Sequence, residues 1–96
     1  MPSARTTTTT TETTTTTTET LETLELERAR VETSVRHLER SCEEIARARE
    51  DALASEEDKA TYDAALIENA RAIANGQERI YDLTREIEWR RSVRGG

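Results

Sequence analysis

From Leu21 onward, apolar residues return at intervals of three and four. Leu21, Leu24, Val31, Val35, Leu38, Cys42, Ile45 and Ala52 all fall on one heptad frame. One core position of that frame reads Leu21, Arg28, Val35, Cys42, Arg49 and the other reads Leu24, Val31, Leu38, Ile45, Ala52, so eight of the ten are apolar or small. No Gly or Pro interrupts them. Such spacing predicts a helix over 21–54 that buries one narrow stripe, as a coiled-coil helix does. Thr18 or Thr20 supplies a side-chain cap for its start.

A second stripe follows. Leu66, Ile73, Ile80 and Ile87 recur every seven residues, and Tyr62, Ala70, Ala74 and Leu83 are expected to widen the apolar face. These place a second helix over 56–91. Gly76 interrupts it at about 1 kcal/mol relative to alanine. Because the stripe continues in phase beyond it, Gly76 is read as permitting close packing or a local bend, not as a helix end.

Residues 51–61, DALASEEDKAT, contain no Gly or Pro, so one continuous helix pairing with a second chain stays open on local grounds. Two features favour a turn near Ser55. Residues 55–58, SEED, form a capping-box pattern with acids at the favourable end of the following helix. A continuous frame would also place Glu56 and Asp63 at successive core positions, a poor zipper. Folding back instead lays the stripe of 21–53 on that of 62–87. The fold expected is all-α, an antiparallel two-helix coiled-coil hairpin.

The flanks differ in character. Residues 6–20, TTTTTTETTTTTTET, are low-complexity and offer nothing apolar to bury, so residues 1–20 are expected to be a disordered Thr-rich arm. Residues 92–96 are expected to be a flexible tail.

Composition narrows the function. Only 33% of the 96 residues are hydrophobic and 3% aromatic, too little for a large core, so long regular helices, self-association or a partner must compensate. The net charge of −6 argues against nucleic-acid binding driven by phosphate contacts. No apolar run approaches the roughly 20 residues of a membrane helix. One cysteine leaves no intrachain disulfide, and no secretory signal pattern opens the chain, which together suggest a cytosolic or nuclear protein. Charge is uneven: residues 55–75 carry five acids against two bases, whereas residues 76–96 carry five Arg against four acids.

Candidate chemistry is sparse. His37 and Cys42 are the single histidine and the single cysteine. Five residues apart on a helix, they project about 140° from each other, so they neither chelate one metal nor form a nucleophile–base pair. Cys42 reads as a small buried hydrophobe and His37 as outward-facing. Carboxylates interleave with arginines at helix-surface spacings, as in Glu32–Arg36, Glu43–Arg47, Asp82–Arg85 and Glu86–Arg90, each pair contributing about 0.2–0.5 kcal/mol. A two-helix hairpin offers almost no pocket to shift pKa values. The expectation is a non-enzyme without cofactor or metal. Trp89 lies beside Arg90 and Arg91. It is either an exposed protein-binding anchor or a lid folded over Leu21 or Leu24.

At VETSVRHLERS (31–41) the chain resembles a fungal family of ATPase-dedicated proteasome assembly chaperones, also described as translation-machinery-associated proteins. The pattern acidic-x-Ser-apolar-x-His-Leu-x-Arg-Ser is met by Glu32, Ser34, Val35, His37, Leu38, Arg40 and Ser41. The stretch YDAALIENARAIANGQERIYDLTREIEWRR (62–91) is similar to the family's second helix without a gap, through Tyr62, Glu68, Asn69, Glu78, Arg79, Leu83, Glu86 and Arg90. The resemblance implies a stress-induced chaperone of the regulatory-particle base. It would bind one ATPase subunit at its N-terminal coiled coil, promote pairing with a neighbouring subunit, and depart. It implies partner contacts by His37, Arg40, Ser41, Glu68, Asn69, Glu78 and Arg79, to which the exposed reading of Trp89 adds that residue. It also implies a monomeric or weakly associating chain in cytoplasm and nucleus. The competing expectation is a structural coiled-coil homodimer or scaffold. A prefoldin-like subunit fits less well, because the SEED turn leaves no room for a β-hairpin between the helices.

Overall fold

The computed structural model describes residues 20–95, with side chains to Val93, and contains two helices. The first, α1, spans Leu21–Glu50, and the second, α2, spans Glu56–Gly95. They pack antiparallel as a hairpin. Thr20 is the only residue of the Thr-rich arm among those described.

Local signals account for the ends. Thr20 caps α1, its side chain accepting from the Thr23 backbone N–H at 3.1 Å. α1 stops at Glu50, four residues short of the end expected from the heptads. Asp51 leaves the helix with extended backbone, and its carboxylate accepts from the Leu53 N–H at 2.8 Å. Asp side chains compete for nearby backbone donors in this way and so favour turns. Ser55 then opens α2 as a capping box. Its Oγ accepts from the Asp58 N–H at 3.0 Å, and Asp58 Oδ2 accepts in return from the Ser55 N–H at 3.3 Å. At the other end α2 does not stop at residue 91. It runs on through residues 92–95.

The apolar centre is Leu24, Leu83 and Ile87, with Leu21 and Val31 packed against it. Ile87 is 0% exposed, the most completely buried side chain described. Val35 is buried further along the seam. There α2 presents Gly76, where a β-carbon would lie 2.6 Å from Val35 Cγ2. The glycine therefore lets the helices approach closely, and α2 runs through it unbroken.

The second stripe differs from expectation. Leu66, Ile73, Ile80, Leu83 and Ile87 face α1, but Ala70 and Ala74 are exposed. The half-covered partners of Leu66 and Ile73 are Ala65, Asn69, Ala72 and Gly76. The seam residues 62, 66, 69, 73, 76, 80, 83, 87 and 90 keep a strict four–three alternation. Asn69, Gly76 and Arg90 hold three of those places, which shifts the apparent centre of the apolar pattern.

Candidate partner-binding surface

Cross-helix polar contacts fix which side of the hairpin each residue occupies. Arg49 grips Asp63 near the turn, Nε to Oδ1 at 2.5 Å and Nη2 to Oδ2 at 3.2 Å. The Asn69 side-chain amide donates to Ser41 Oγ at 3.2 Å in mid-hairpin. Arg28 donates to Thr84 Oγ1 at 3.1 Å. Near the open end Arg79 pairs with Glu27, and Arg91 with Glu25. Glu25 and Glu27 are about 200° apart around α1 at 100° per residue. The two ion pairs therefore run along opposite sides of the seam.

The Glu27–Arg79 side gathers most of the residues singled out by the sequence. His37 is exposed there, on the α1 line through Thr23, Arg30 and Glu44. Glu68 is exposed on the α2 line that continues at seven-residue spacing through Asn75 and Asp82 to Trp89. Arg40 and Glu78 are exposed on the backs of their helices, away from the seam. Ser41 and Asn69 are half-buried and joined to each other, and Arg79 is held by Glu27. The polar groups of these three act within the hairpin, tying its two helices together. That role was not legible in a sequence read for outward-facing residues.

Trp89 is 63% exposed and does not fold over Leu21 or Leu24, which Leu83 and Ile87 cover instead. It lines an open surface groove with Asp82, Arg85 and Glu86. Beside the groove, the Arg85 guanidinium lies 5.7 Å from the centre of the Tyr81 ring, a cation–π arrangement. Arg85 stacks in this way instead of pairing with Asp82. Glu86 accepts from Arg90 at 3.2 Å, and Glu43 forms an ion pair with Arg47 at 3.6 Å, as their spacing suggests. Arg36 turns instead to Thr33 Oγ1 at 3.2 Å.

Two groups titrate away from their ordinary ranges. The hydrogen bond from Arg49, aided by its charge, holds the Asp63 carboxyl below the usual carboxylate range, and the same contact raises Arg49. Both side chains are nearly half exposed, so the pair acts as a surface clasp near the turn. His37 is exposed and Cys42 half-buried. Among the described residues no three metal-ligating side chains converge, and no helix is long and apolar enough to cross a membrane.

The described residues thus form a two-helix hairpin with one internal seam and with Tyr81 and Trp89 exposed on its outer surface. The family model for the TMA17 helical domain matches residues 15–94, and the chain belongs to that family. Comparison with curated proteins and with solved structures gave no match.

Proposed function

We propose that this chain is an assembly chaperone for the base of the proteasome regulatory particle. It binds one base ATPase subunit at the subunit's N-terminal coiled coil, favours pairing with a neighbouring ATPase, and leaves before the particle matures. The observation that carries this reading is Trp89, a large aromatic held 63% exposed on a rigid helix of a TMA17-family chain, on the same side as His37 and Glu68. Exposed tryptophans on such surfaces are frequent binding anchors, and an unpaired coiled-coil helix is the kind of ligand read through periodic side chains. His37, Glu68 and Trp89 form the face in this proposal, with Arg40 and Glu78 at its margins. The heptads are satisfied within one chain, which supports a monomer over a structural zipper. Action in the cytoplasm and nucleus of a fungal cell, without enzymatic chemistry, completes the proposal.

The test is affinity capture from fungal lysate with the tagged full chain, followed by mass spectrometry and by direct binding to the purified ATPase N-terminal segment. Base ATPases recovered without the core particle, with loss of capture by Trp89→Ala, are the expected result. Recovery of the bait alone, as a stable dimer, would leave the structural zipper as the better account.

A further inference from the structure

α2 carries apolar residues on two sides, and α1 covers only one. Along the Glu25–Arg91 side, away from Trp89, run Ala60, Ile67, Ala70, Ala74, Gln77 and Tyr81, all exposed. Ile67 and Tyr81 are each 61% exposed. They stand fourteen residues apart, with Ala74 midway, so they share one line along the helix. Between Asp63 and Thr84 these lines of α2 contain no charged residue. A stripe this long and uncharged on the outside of a helix is the pattern of a surface that receives another helix.

The neighbouring ridge of α1 has the opposite character. Glu25, Glu32 and Glu39 recur every seven residues beside the seam, flanked by Glu22 and Glu43 with Arg36 among them. In an antiparallel pair, such flanking positions are normally answered by cations on the other helix. Glu25 is answered by Arg91, and Glu43 is held within α1 by Arg47. Glu32 and Glu39 face the row of Ala70, Gln77 and Thr84 on α2, which offers no cation. No ion pair among the described residues reaches either of them.

The geometry points to this second side of the hairpin as a docking surface for an amphipathic helix. The apolar stripe of that helix packs on Ile67, Ala70, Ala74 and Tyr81, and its flanking Lys or Arg residues answer Glu32 and Glu39. Charge selects this occupant over a second copy paired through the same face, because such a copy, of net charge −6, would set its own Glu25, Glu32 and Glu39 row against this one. The surface lies on the other side of α2 from Trp89, meeting the Trp89 groove only where Arg85 stacks on Tyr81, and it does not depend on the reading given to that face.

The experiment uses the isotope-labelled full chain and three designed helical peptides, each about three heptads long. All share one Leu/Ala stripe, flanked by Arg, by Gln or by Glu. The Arg-flanked peptide is expected to bind at least about tenfold more tightly than the Glu-flanked one, with affinity falling as salt rises. Its backbone amide shift changes should centre on 67–81 of α2 and 25–43 of α1. Ile67→Ser and the double change Glu32→Gln, Glu39→Gln should each weaken binding about tenfold, with unchanged helical circular dichroism, while Trp89→Ala should not. Equal binding of all three peptides would overturn the proposal. So would shifts confined to the Trp89 side, or concentration-dependent shifts of the same residues without peptide, which would make the occupant a second copy.

Discussion

Gly76 and Val35 meet face to face across the seam: a β-carbon on residue 76 would come within 2.6 Å of Val35 Cγ2 and 3.8 Å of Val31 Cγ1. Valine is stiff at χ1 on a helix, so the methyl group has no easy retreat. Gly76→Ala would gain about 1 kcal/mol in helix propensity but must push the helices apart, an overpacking cost of about 1–3 kcal/mol. The expected outcome is a net loss of stability of about 1 kcal/mol in urea denaturation. Adding Val35→Ala should recover part of that loss, because the two sites share one gap and their effects are not additive. A stabilised single mutant would show that the contact is slack.

This pair also shows why the second helix was harder to read than the first. In α1 the branched and long apolar residues Val31, Val35, Leu38 and Ile45 fix one face, and the heptad names it. In α2 the seam includes Asn69 and Gly76, which no hydrophobic pattern selects, while Ala70 and Ala74 are apolar but point outward. Alanine contributes little area either way, so its side is decided by the larger neighbours and by what the partner helix presents. The end of α1 at Glu50 was invisible for a similar reason. The stop lies in side-chain capping by Asp51 and not in a Gly or Pro. Ser55, whose partner is three residues away, was legible from its local pattern alone. The exposure of Trp89 was not, since spacing alone left both of its orientations open.

Asp63 links stability to pH. Its folded carboxyl is held below the ordinary range by Arg49, so the unfolded state binds the proton more readily. The contribution of the clasp is therefore complete above the unfolded carboxylate range, about pH 4, and is lost as pH falls through the lower folded value. The Tm difference between the natural chain and Asp63→Asn should be constant near neutral pH and shrink only in acid. A gap that widens on acidification would contradict the assignment.

Ser41 and Asn69 form a half-buried polar pair inside the seam. Ser41→Ala leaves the Asn69 amide without its partner and should cost about 1 kcal/mol. Replacing both with apolar residues should restore most of that stability, while removing a contact that fixes the register, as buried asparagines do in coiled coils. In a Cys42→Ser background, a cysteine at 27, which faces 79 across the seam, combined in turn with one at 72, 79 or 86 would read the register by disulfide trapping. Cross-linking at 79 alone is expected with the natural Ser41–Asn69 pair, and at more than one of the three positions in the apolar variant.

Trp89 separates binding from folding. It is exposed and outside the apolar centre, so Trp89→Ala should change stability by no more than about 0.5 kcal/mol. If it anchors the ATPase segment, the same change should weaken that complex by about 2 kcal/mol or more. Calorimetry of the complex beside urea denaturation of the free chain measures both. Parallel losses would make Trp89 a structural residue.

The hairpin itself depends on a few polar atoms. Residues 51–55 hold no Gly or Pro. Their departure from helix is supported by the Asp51 carboxylate on the Leu53 N–H and by the reciprocal Ser55–Asp58 cap. Removing a cap costs about 0.5–2 kcal/mol, and alanine at both positions also favours helix through the turn. The Asp51→Ala, Ser55→Ala double variant should thus be biased toward one continuous helix. That helix cannot bury its own stripe and must exchange its halves with a second chain, since a shared hinge is a low-cost route to a swapped dimer. Light scattering across a concentration series should show the natural chain as a monomer and the variant shifting to dimer, with helical content rising by the turn residues. A variant that stays monomeric would place the turn's origin in the cross-helix clasps, Arg49–Asp63 foremost, and a triple variant adding Asp63→Ala would then separate the two contributions.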